Sequence, residues 1–336
     1  MKKKFIFITN ADLKIGFGHL ERCISLAKIL KSYGYECYIS GVKKKYIPDN
    51  IFKKIFEYSF FKKVNFKINI FKKNFEVDNS FLIVDTYKIN TNIQLDLKKF
   101  NFRWLQFDNL KKKKIYADII LNANPIVKKK DYANIIDKKN QKQILLLGSS
   151  YYVLRDEFRK IHRCKKEYIL ISTGGGTKDK GMLLFALNIL LKKFSSLKII
   201  VILQQKDPRE KKLNKLKKNN NKMIFVKNTK KISYYFSKSY ISITSGGSLL
   251  NESLLFNLKR IIISTASNQV NQCKAWNKLN YIDYLGSIEE KEKISTKLKN
   301  KLNNVKKIKS KNYTNKEKLL NGKFRIVKKI LYEINN

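Results

Sequence analysis

The segments Phe5-Ile6-Phe7-Ile8-Thr9 and Ile15-Gly16-Phe17-Gly18-His19-Leu20-Glu21-Arg22 decide the fold of this 336-residue chain. The first segment is a short apolar run, which is typical of a buried strand. The second opens an amphipathic pattern that continues through Ile24 and Leu30, and it predicts a helix over residues 19–32. The order is therefore strand, glycine-containing turn and helix, which is the repeating unit of an α/β fold.

The turn between this strand and this helix has the features of a ligand-binding site. Gly16 and Gly18 let the backbone approach a bound molecule closely, and the first turn of a helix offers free N–H groups to anions. Ligands of open α/β sheets bind beyond the carboxyl ends of the strands. His19 is one of two histidines in the chain, and an imidazole can act as a general base near neutral pH. A structural hydrogen bond at the start of the helix is the alternative role for His19.

Strand-like and helix-like patterns alternate along the whole chain, which predicts parallel sheets built from βαβ units. The predicted strands cover residues 5–9, 35–42, 81–85, 102–107, 118–121, 143–147, 168–173, 198–203, 223–226, 239–243, 260–264 and 281–285. The predicted helices cover residues 19–32, 91–100, 179–194, 208–218, 230–237, 248–256, 269–279 and 317–333. Residues 286–318 are predicted to be surface helix and loop. The segment 148–166 predicts a connection between two domains, residues 1–150 and 151–336, with the C-terminal helix in the second.

A second candidate site is the segment Thr244-Ser245-Gly246-Gly247-Ser248-Leu249-Leu250-Asn251-Glu252, which follows a predicted strand and enters a helix. Gly246 and Gly247 allow close backbone approach, and Ser248 can cap the helix and donate to a phosphate. Glu252 follows about one turn later, where a carboxylate can accept two hydrogen bonds from a ribose diol. The alternative is an ordinary glycine-capped turn with a surface glutamate.

Three further strand ends carry polar or glycine residues. Gly174-Gly175-Gly176-Thr177 lacks the residue order of a Walker sequence, and no GxGxxG motif with a matching acidic residue occurs, so dinucleotide binding is disfavoured. Asp85-Thr86-Tyr87 and Phe107-Asp108-Asn109 end two other predicted strands, where they could face a ligand or cap a turn. Two glycine-lined helix entrances in two α/β halves predict a cleft that binds a diphosphate.

The chain carries a large positive charge. It contains 73 Lys+Arg residues and 26 Asp+Glu residues, which gives a formal net charge of +47. Such a charge is typical of proteins that bind nucleic acid or anionic lipid. The excess is almost entirely lysine and is spread along the chain, as expected for an A/T-rich genome. We therefore expect no nucleic-acid partner, and we keep a nucleic-acid-binding protein as the remote alternative.

The four cysteines are scattered without a CxxC pair, which favours reduced thiols, a cytoplasmic location and no metal site. No apolar run approaches the length of a membrane span, so no transmembrane segment is expected. The residues give no indication of a cofactor.

Several segments together resemble the UDP-2,4-diacetamido-2,4,6-trideoxy-β-L-altropyranose hydrolase family of pseudaminic acid biosynthesis, which is related to the MurG-like glycosyltransferases. These segments are residues 15–30, Val84-Asp85-Thr86-Tyr87, residues 118–122, Gly174-Gly175-Gly176-Thr177, residues 245–252, Ser267-Asn268-Gln269 and residues 321–327. The resemblance covers nearly the whole chain. It implies a GT-B-like α/β fold, with two Rossmann-like parallel-sheet domains facing each other across a cleft.

The resemblance also implies a function, namely attack of water on the anomeric carbon of a UDP-linked sugar, with inversion and release of UDP and free sugar. His19 matches the family's catalytic histidine. The residues expected to bind the substrate are Gly16, Gly18, Asp85, Tyr87, Gly175, Gly176, Asn268 and Gln269. The residues expected to hold UDP are Ser245, Gly246, Gly247, Ser248 and Glu252.

The chain departs from the family pattern where Ile8-Thr9-Asn10-Ala11 replaces the usual Arg-Ala-Asp-Ala and Thr86 replaces a frequent histidine. Both departures lie on the sugar side of the expected pocket. A glycosyltransferase of the same architecture, which transfers the sugar to a hydroxyl acceptor instead of water, is the second hypothesis for the function.

Overall fold

The computed structural model of the chain describes residues 3–12, 16–47, 53–57, 75–109, 113–137, 142–174, 179–193, 197–218, 220–227, 229–303 and 312–335. It divides into two compact units. The first unit comprises Met1–Arg155 together with Glu317–Asn336, and the second comprises Asp156–Lys316.

The first unit contains a six-stranded parallel sheet with the strand order β2-β1-β3-β4-β5-β6. Its strands are β1 (Lys4–Thr9), β2 (Glu36–Ser40), β3 (Ser80–Asp85), β4 (Arg103–Phe107), β5 (Ile119–Asn122) and β6 (Ile144–Leu147). Its first two helices are α1 (Gly18–Ser32) and α2 (Thr91–Lys99). Both faces of the sheet are covered, because Phe5 and Phe7 of β1 pack in one apolar cluster with α1 while Ile6 and Ile8 pack in another.

The second unit repeats this architecture, with a six-stranded parallel sheet of order β12-β11-β10-β7-β8-β9. Its strands are β7 (Tyr168–Ser172), β8 (Ile199–Leu203), β9 (Met223–Lys227), β10 (Ser239–Ser245), β11 (Lys259–Ser264) and β12 (Asp283–Ser287). Its helices are α3 (Met182–Lys193), α4 (Glu210–Lys217), α5 (Ile232–Lys238), α6 (Ser248–Ser253), α7 (Ser267–Lys278) and α8 (Lys291–Leu302). No helix within the described ranges has the length and apolar character needed to cross a membrane.

The twelve predicted strands and the first seven predicted helices are all present, with ends displaced by at most three residues. The predicted α/β class with two parallel sheets is therefore confirmed. The predicted helix over residues 317–333 is instead two helices, α9 (Lys316–Leu320) and α10 (Gly322–Asn335), separated by Asn321. Helix α8 forms part of the segment that was predicted to be surface helix and loop.

The C-terminal helix α10 belongs to the first unit, whereas we expected it in the second. Its apolar face, which includes Ile326 and Ile330, packs in the same core cluster as α1. At its start, a Cβ added to Gly322 would lie 2.2 Å from the Tyr152 carbonyl oxygen, so only glycine fits this approach. The boundary between the units accordingly falls after Arg155 rather than after residue 150.

Candidate functional site

The strand order of the first sheet brings His19 and Asp85 together. Strands β1 and β3 are parallel neighbours, with Thr9 opposite Asp85 at their carboxyl ends. Helix α1 follows β1 and packs over β1, β2 and β3, which places its first turn above the end of β3. The Nδ1 atom of His19 lies 2.6 Å from Oδ1 of Asp85, and the carboxylate is buried with 1% of its side chain exposed.

Arg22 completes this group from the same face of α1, because residues three apart on a helix are neighbours. Its Nε donates to Oδ2 of Asp85 at 2.9 Å, and its Nη2 donates to Oδ1 at 2.8 Å. This two-point contact is the strongest arrangement for an arginine and a carboxylate. The guanidinium carbon also lies 5.1 Å from the centre of the Phe107 ring. Both oxygens of Asp85 are thus engaged inside the protein.

The charges around Asp85 keep it ionised. Burial alone would raise the pKa of this carboxyl, but the nearby charges of Arg22 and His19 and their hydrogen bonds lower it to about 2. An ionised carboxylate can only accept hydrogen bonds, so Nδ1 of His19 is the donor in their contact. In the neutral form of this imidazole the lone pair is on Nε2, which can accept a proton from a ligand or from water.

Tyr87 borders the His19 ring, and Asn109 contacts Tyr87. The rings of Tyr87 and His19 are perpendicular, with centres 5.1 Å apart. The Nδ2 of Asn109 donates to the Tyr87 hydroxyl at 2.6 Å. The structure therefore brings Tyr87 and Asp85 to the imidazole from the end of β3, and Asn109 joins them from the end of β4.

The glycines before α1 have separate structural roles. Gly16 has φ +89°, a conformation that favours glycine, and its N–H donates to the Asp12 carbonyl at 2.8 Å. Gly18 is the first residue of α1, and Phe17 precedes it as the N-cap. Together they turn the chain so that His19 lies in the first helical turn, as predicted.

In the second unit, the Ser245–Gly247 turn lies at the end of β10 and packs against α7. The Ser245 hydroxyl donates to the Thr173 carbonyl at 3.1 Å, which joins this turn to the end of β7. The Nε2 of Gln272 lies 3.2 Å from the Gly246 oxygen and 3.4 Å from the Gly247 oxygen. The turn is thereby held from two sides.

The two glycines of this turn differ in their surroundings. A Cβ at Gly246 would lie 2.3 Å from the Cys273 sulfur and 3.1 Å from Cβ of Gln269, so glycine is needed there for packing against α7. Among the described residues, the atoms nearest to a Cβ at Gly247, outside its chain neighbours, would lie 3.9 Å away. Close approach of a ligand is thus a sterically available role for Gly247, whereas Gly246 already has a structural one.

The structure bears on two expectations for the residues after this turn. Gly247 is the N-cap of α6 and Ser248 is the first helical residue, so Ser248 does not occupy the capping position that we expected for it. Glu252 is buried with 1% of its surface exposed, which contradicts the alternative of a surface glutamate. A carboxylate is rarely buried in this way unless it is paired with another group.

Asn268 and Gln269 lie in the first turn of α7. The Oε1 of Gln269 accepts from the Thr265 N–H at 2.9 Å, so this side chain supports the turn that precedes α7. Gly175 and Gly176 lie outside the described residues. Gly174, which precedes them, has φ +84° and is close to Ser245.

Two residues that contribute to these sites, Arg22 and Gln272, were given no role from the sequence, whereas Asn109 was noted there as part of a strand end that could face a ligand. The spacing of three residues from His19 to Arg22, and from Gln269 to Gln272, was the available signal, since it places each pair on one helix face. Within the described residues, no three His, Cys, Asp or Glu side chains form a group that could hold a metal ion.

Comparisons with known proteins agree with this architecture. No protein-family model matches the chain. Acinetobacter baumannii MurG has a similar structure, with a TM-score of 0.62 at 12% identity, covering 98% of this chain and 99% of MurG. The UDP-GlcNAc 2-epimerase of Neisseria meningitidis, solved with UDP-GlcNAc, gives a TM-score of 0.58 at 13% identity over 98% of this chain and 100% of the epimerase. These likenesses show a shared GT-B fold.

The sequence itself is similar to the UDP-2,4-diacetamido-2,4,6-trideoxy-β-L-altropyranose hydrolase of Campylobacter jejuni. The two are 30% identical over 272 residues, which cover 79% of this chain and 93% of the relative. At this identity and coverage, the chain belongs to the UDP-2,4-diacetamido-2,4,6-trideoxy-β-L-altropyranose hydrolase family.

Proposed function

We propose that this protein hydrolyses a UDP-linked 2,4-diacetamido-2,4,6-trideoxy sugar to UDP and the free sugar, as a step of pseudaminic acid biosynthesis. The observation that carries the proposal is the imidazole of His19, held through Nδ1 by the buried carboxylate of Asp85. Its support in sequence is the relationship to the Campylobacter jejuni hydrolase.

In the proposed reaction, Nε2 of His19 takes a proton from a water molecule as the water oxygen bonds to the anomeric carbon. The bond from this carbon to the UDP oxygen breaks, and the electron pair leaves with UDP, so the configuration at the carbon inverts. Asp85 stabilises the imidazolium that forms, and Arg22 keeps Asp85 ionised. Because UDP is a good leaving group, a positioned base supplies much of what the reaction requires, and the route uses no metal ion or cofactor.

This scheme gives Asp85 a positioning role rather than the direct substrate contact that we first expected. Its Oδ1 contacts His19 and Arg22, its Oδ2 accepts from Arg22, and the carboxylate is buried. The remaining substrate contacts are proposed from the family resemblance at Gly16, Gly18, Tyr87, Gly175, Gly176, Asn268 and Gln269. UDP is proposed to bind Ser245, Gly246, Gly247, Ser248 and Glu252.

The first prediction concerns the base. Replacing His19 with Ala removes the proton acceptor, so the rate of UDP release should fall by roughly 10²–10⁴-fold. The measurement is steady-state release of UDP and free sugar from the UDP-sugar by the purified protein. The matched control is His162→Ala, since His162 is the other histidine and lies in the second unit; it should keep wild-type activity.

Two results would contradict this function. One is full activity of His19→Ala, which would remove His19 from the reaction. The other is UDP release that requires a hydroxyl acceptor, which would identify a glycosyltransferase instead of a hydrolase.

The second prediction concerns pH and the ion pair. The pKa of Asp85 in the folded protein is about 2, below its usual 3.8, so its ionised form stabilises the fold above pH 4 and this contribution is lost as the pH falls toward 2. The stability difference between the wild type and Asp85→Asn should therefore be about 1 kcal/mol smaller at pH 3 than at pH 6. Urea unfolding at the two pH values measures it.

The control for this comparison is Asp96→Asn, because Asp96 is exposed on α2. Its effect on stability should be small at both pH values. A difference for Asp85→Asn that does not change between pH 6 and pH 3 would show that the depressed pKa of Asp85 is incorrect.

The third prediction separates the two glycines of the Ser245–Gly247 turn. Gly247→Ala should leave the melting temperature nearly unchanged, because its Cβ has room and its φ is −84°. It should weaken UDP binding by about tenfold, which corresponds to ~1.4 kcal/mol, because the methyl group would stand where the diphosphate approaches.

Gly246→Ala is the companion variant, and it should lower the melting temperature because its Cβ would clash with Cys273. Calorimetric titration with UDP and thermal unfolding provide the two measurements. Unchanged UDP affinity in Gly247→Ala would remove this glycine from the nucleotide site.

A further inference from the structure

Tyr87 is exposed to solvent and also packs against the imidazole of His19. Its surface is 44% exposed, yet its ring stands perpendicular to that of His19 with the ring centres 5.1 Å apart. An exposed aromatic side chain retains rotamer freedom unless a contact removes it. The hydrogen bond of 2.6 Å from Nδ2 of Asn109 to the Tyr87 hydroxyl is such a contact.

The Asn109 amide does not support its own loop, as asparagines in turns ordinarily do. Its Oδ1 is buried and has no hydrogen-bond partner among the described residues. The asparagines at the end of β5 and just after it behave differently. The Oδ1 of Asn122 accepts from the Asn124 N–H at 3.0 Å, and Oδ1 of Asn124 accepts from the Ile126 N–H at 3.2 Å. A buried unpaired oxygen lowers stability, which points to a purpose other than stability at Asn109.

Asp108, the residue before Asn109, is held by a hydrogen bond from a buried tyrosine. The hydroxyl of Tyr132 donates to Oδ2 of Asp108 at 2.5 Å, and Nδ2 of Asn122 donates to the same hydroxyl at 2.7 Å. Tyr132 is completely buried. The residue next to Asn109 is therefore fixed to the end of β5, which gives Asn109 a rigid base from which to hold Tyr87.

We propose that Asn109 is a positioning residue of the reaction, which acts by holding the Tyr87 ring against the imidazole of His19. Asp85 fixes His19 through Nδ1, and Tyr87 limits rotation of the imidazole ring from a second side. Together, the two contacts fix the orientation of the imidazole ring and therefore the direction in which Nε2 points. This inference rests on the proposed function, because it assumes that His19 is the base.

The test is a double-mutant cycle in which kcat of UDP release is measured for Asn109→Ala, Tyr87→Phe and the double variant. Each single variant removes the same hydrogen bond, so each should lower kcat by about tenfold, and KM should change little in Asn109→Ala, which keeps the Tyr87 hydroxyl. The double variant should be no slower than the slower single variant. Melting temperatures should stay within about 2 °C of the wild type, since Asn109 contributes little to stability.

Asn124→Ala is the matched control, because Asn124 lies in the neighbouring loop and its amide oxygen serves its own turn. It should lower the melting temperature and leave kcat unchanged. Unchanged kcat in Asn109→Ala would overturn the proposal. Fully additive effects of Asn109→Ala and Tyr87→Phe would also overturn it, because the two residues would then act separately.

A measurement that needs no turnover distinguishes this inference from the proposed function. The two histidines give few ring-proton NMR signals, which makes the His19 signals easy to assign by substitution. In Asn109→Ala these signals should move toward their positions in Tyr87→Ala, while those of His162 stay in place. If the wild type releases no UDP, the proposed function fails, and the NMR result still decides whether Asn109 holds Tyr87 against His19. His19 signals that do not move in Asn109→Ala would overturn the inference.

Discussion

The ion pair between Asp85 and Arg22 is the interaction on which the candidate site of the first unit depends. A carboxylate with 1% of its side chain exposed is costly to bury unless it is paired and hydrogen-bonded. Arg22 supplies two hydrogen bonds, and the third comes from Nδ1 of His19. Removing any partner would leave a buried group unsatisfied, so the pairing and the orientation of His19 are coupled.

This pairing constrains the fold around it. Strands β1 and β3 must be neighbours, so that the end of β3 lies beneath the helix that follows β1. His19 and Arg22 must both lie on α1 to contact this one carboxylate, and they do so because the helix begins at Gly18. Gly16, with its positive φ, makes the turn into that helix. Helix α10, which lies near the C-terminus of the sequence, packs its apolar face against the same core.

Much of the fold could be predicted from the sequence because it is encoded locally. The apolar runs of both sheets are buried on two faces, and they therefore mark their own strands. The unit to which α10 belongs could not be predicted in this way, since an amphipathic pattern shows that a face is buried but not what covers it. The contact between His19 and Asp85 joins residues 66 positions apart, and only the strand order reveals it. Both residues were predicted for the site, but their pairing was not.

The glycines illustrate the same limit. The sequence indicates that another group can come close to the backbone at Gly246 and Gly247, but it does not identify that group. The structure shows that α7 already occupies the space beside Gly246, through Cys273 and Gln269, whereas no described atom outside the chain neighbours would lie closer than 3.9 Å to a Cβ at Gly247. A glycine-rich turn can thus combine one residue that is required for packing with another that is available to a ligand.

The central claim is that water, activated by His19 and Asp85, attacks the anomeric carbon of a UDP-sugar. Hydrolysis in ¹⁸O-labelled water, followed by mass spectrometry of the released UDP, tests this claim most directly. Attack at carbon breaks the bond between that carbon and the UDP oxygen, so the account predicts UDP without the label. UDP that carries one ¹⁸O atom would show attack at phosphorus and would contradict the account.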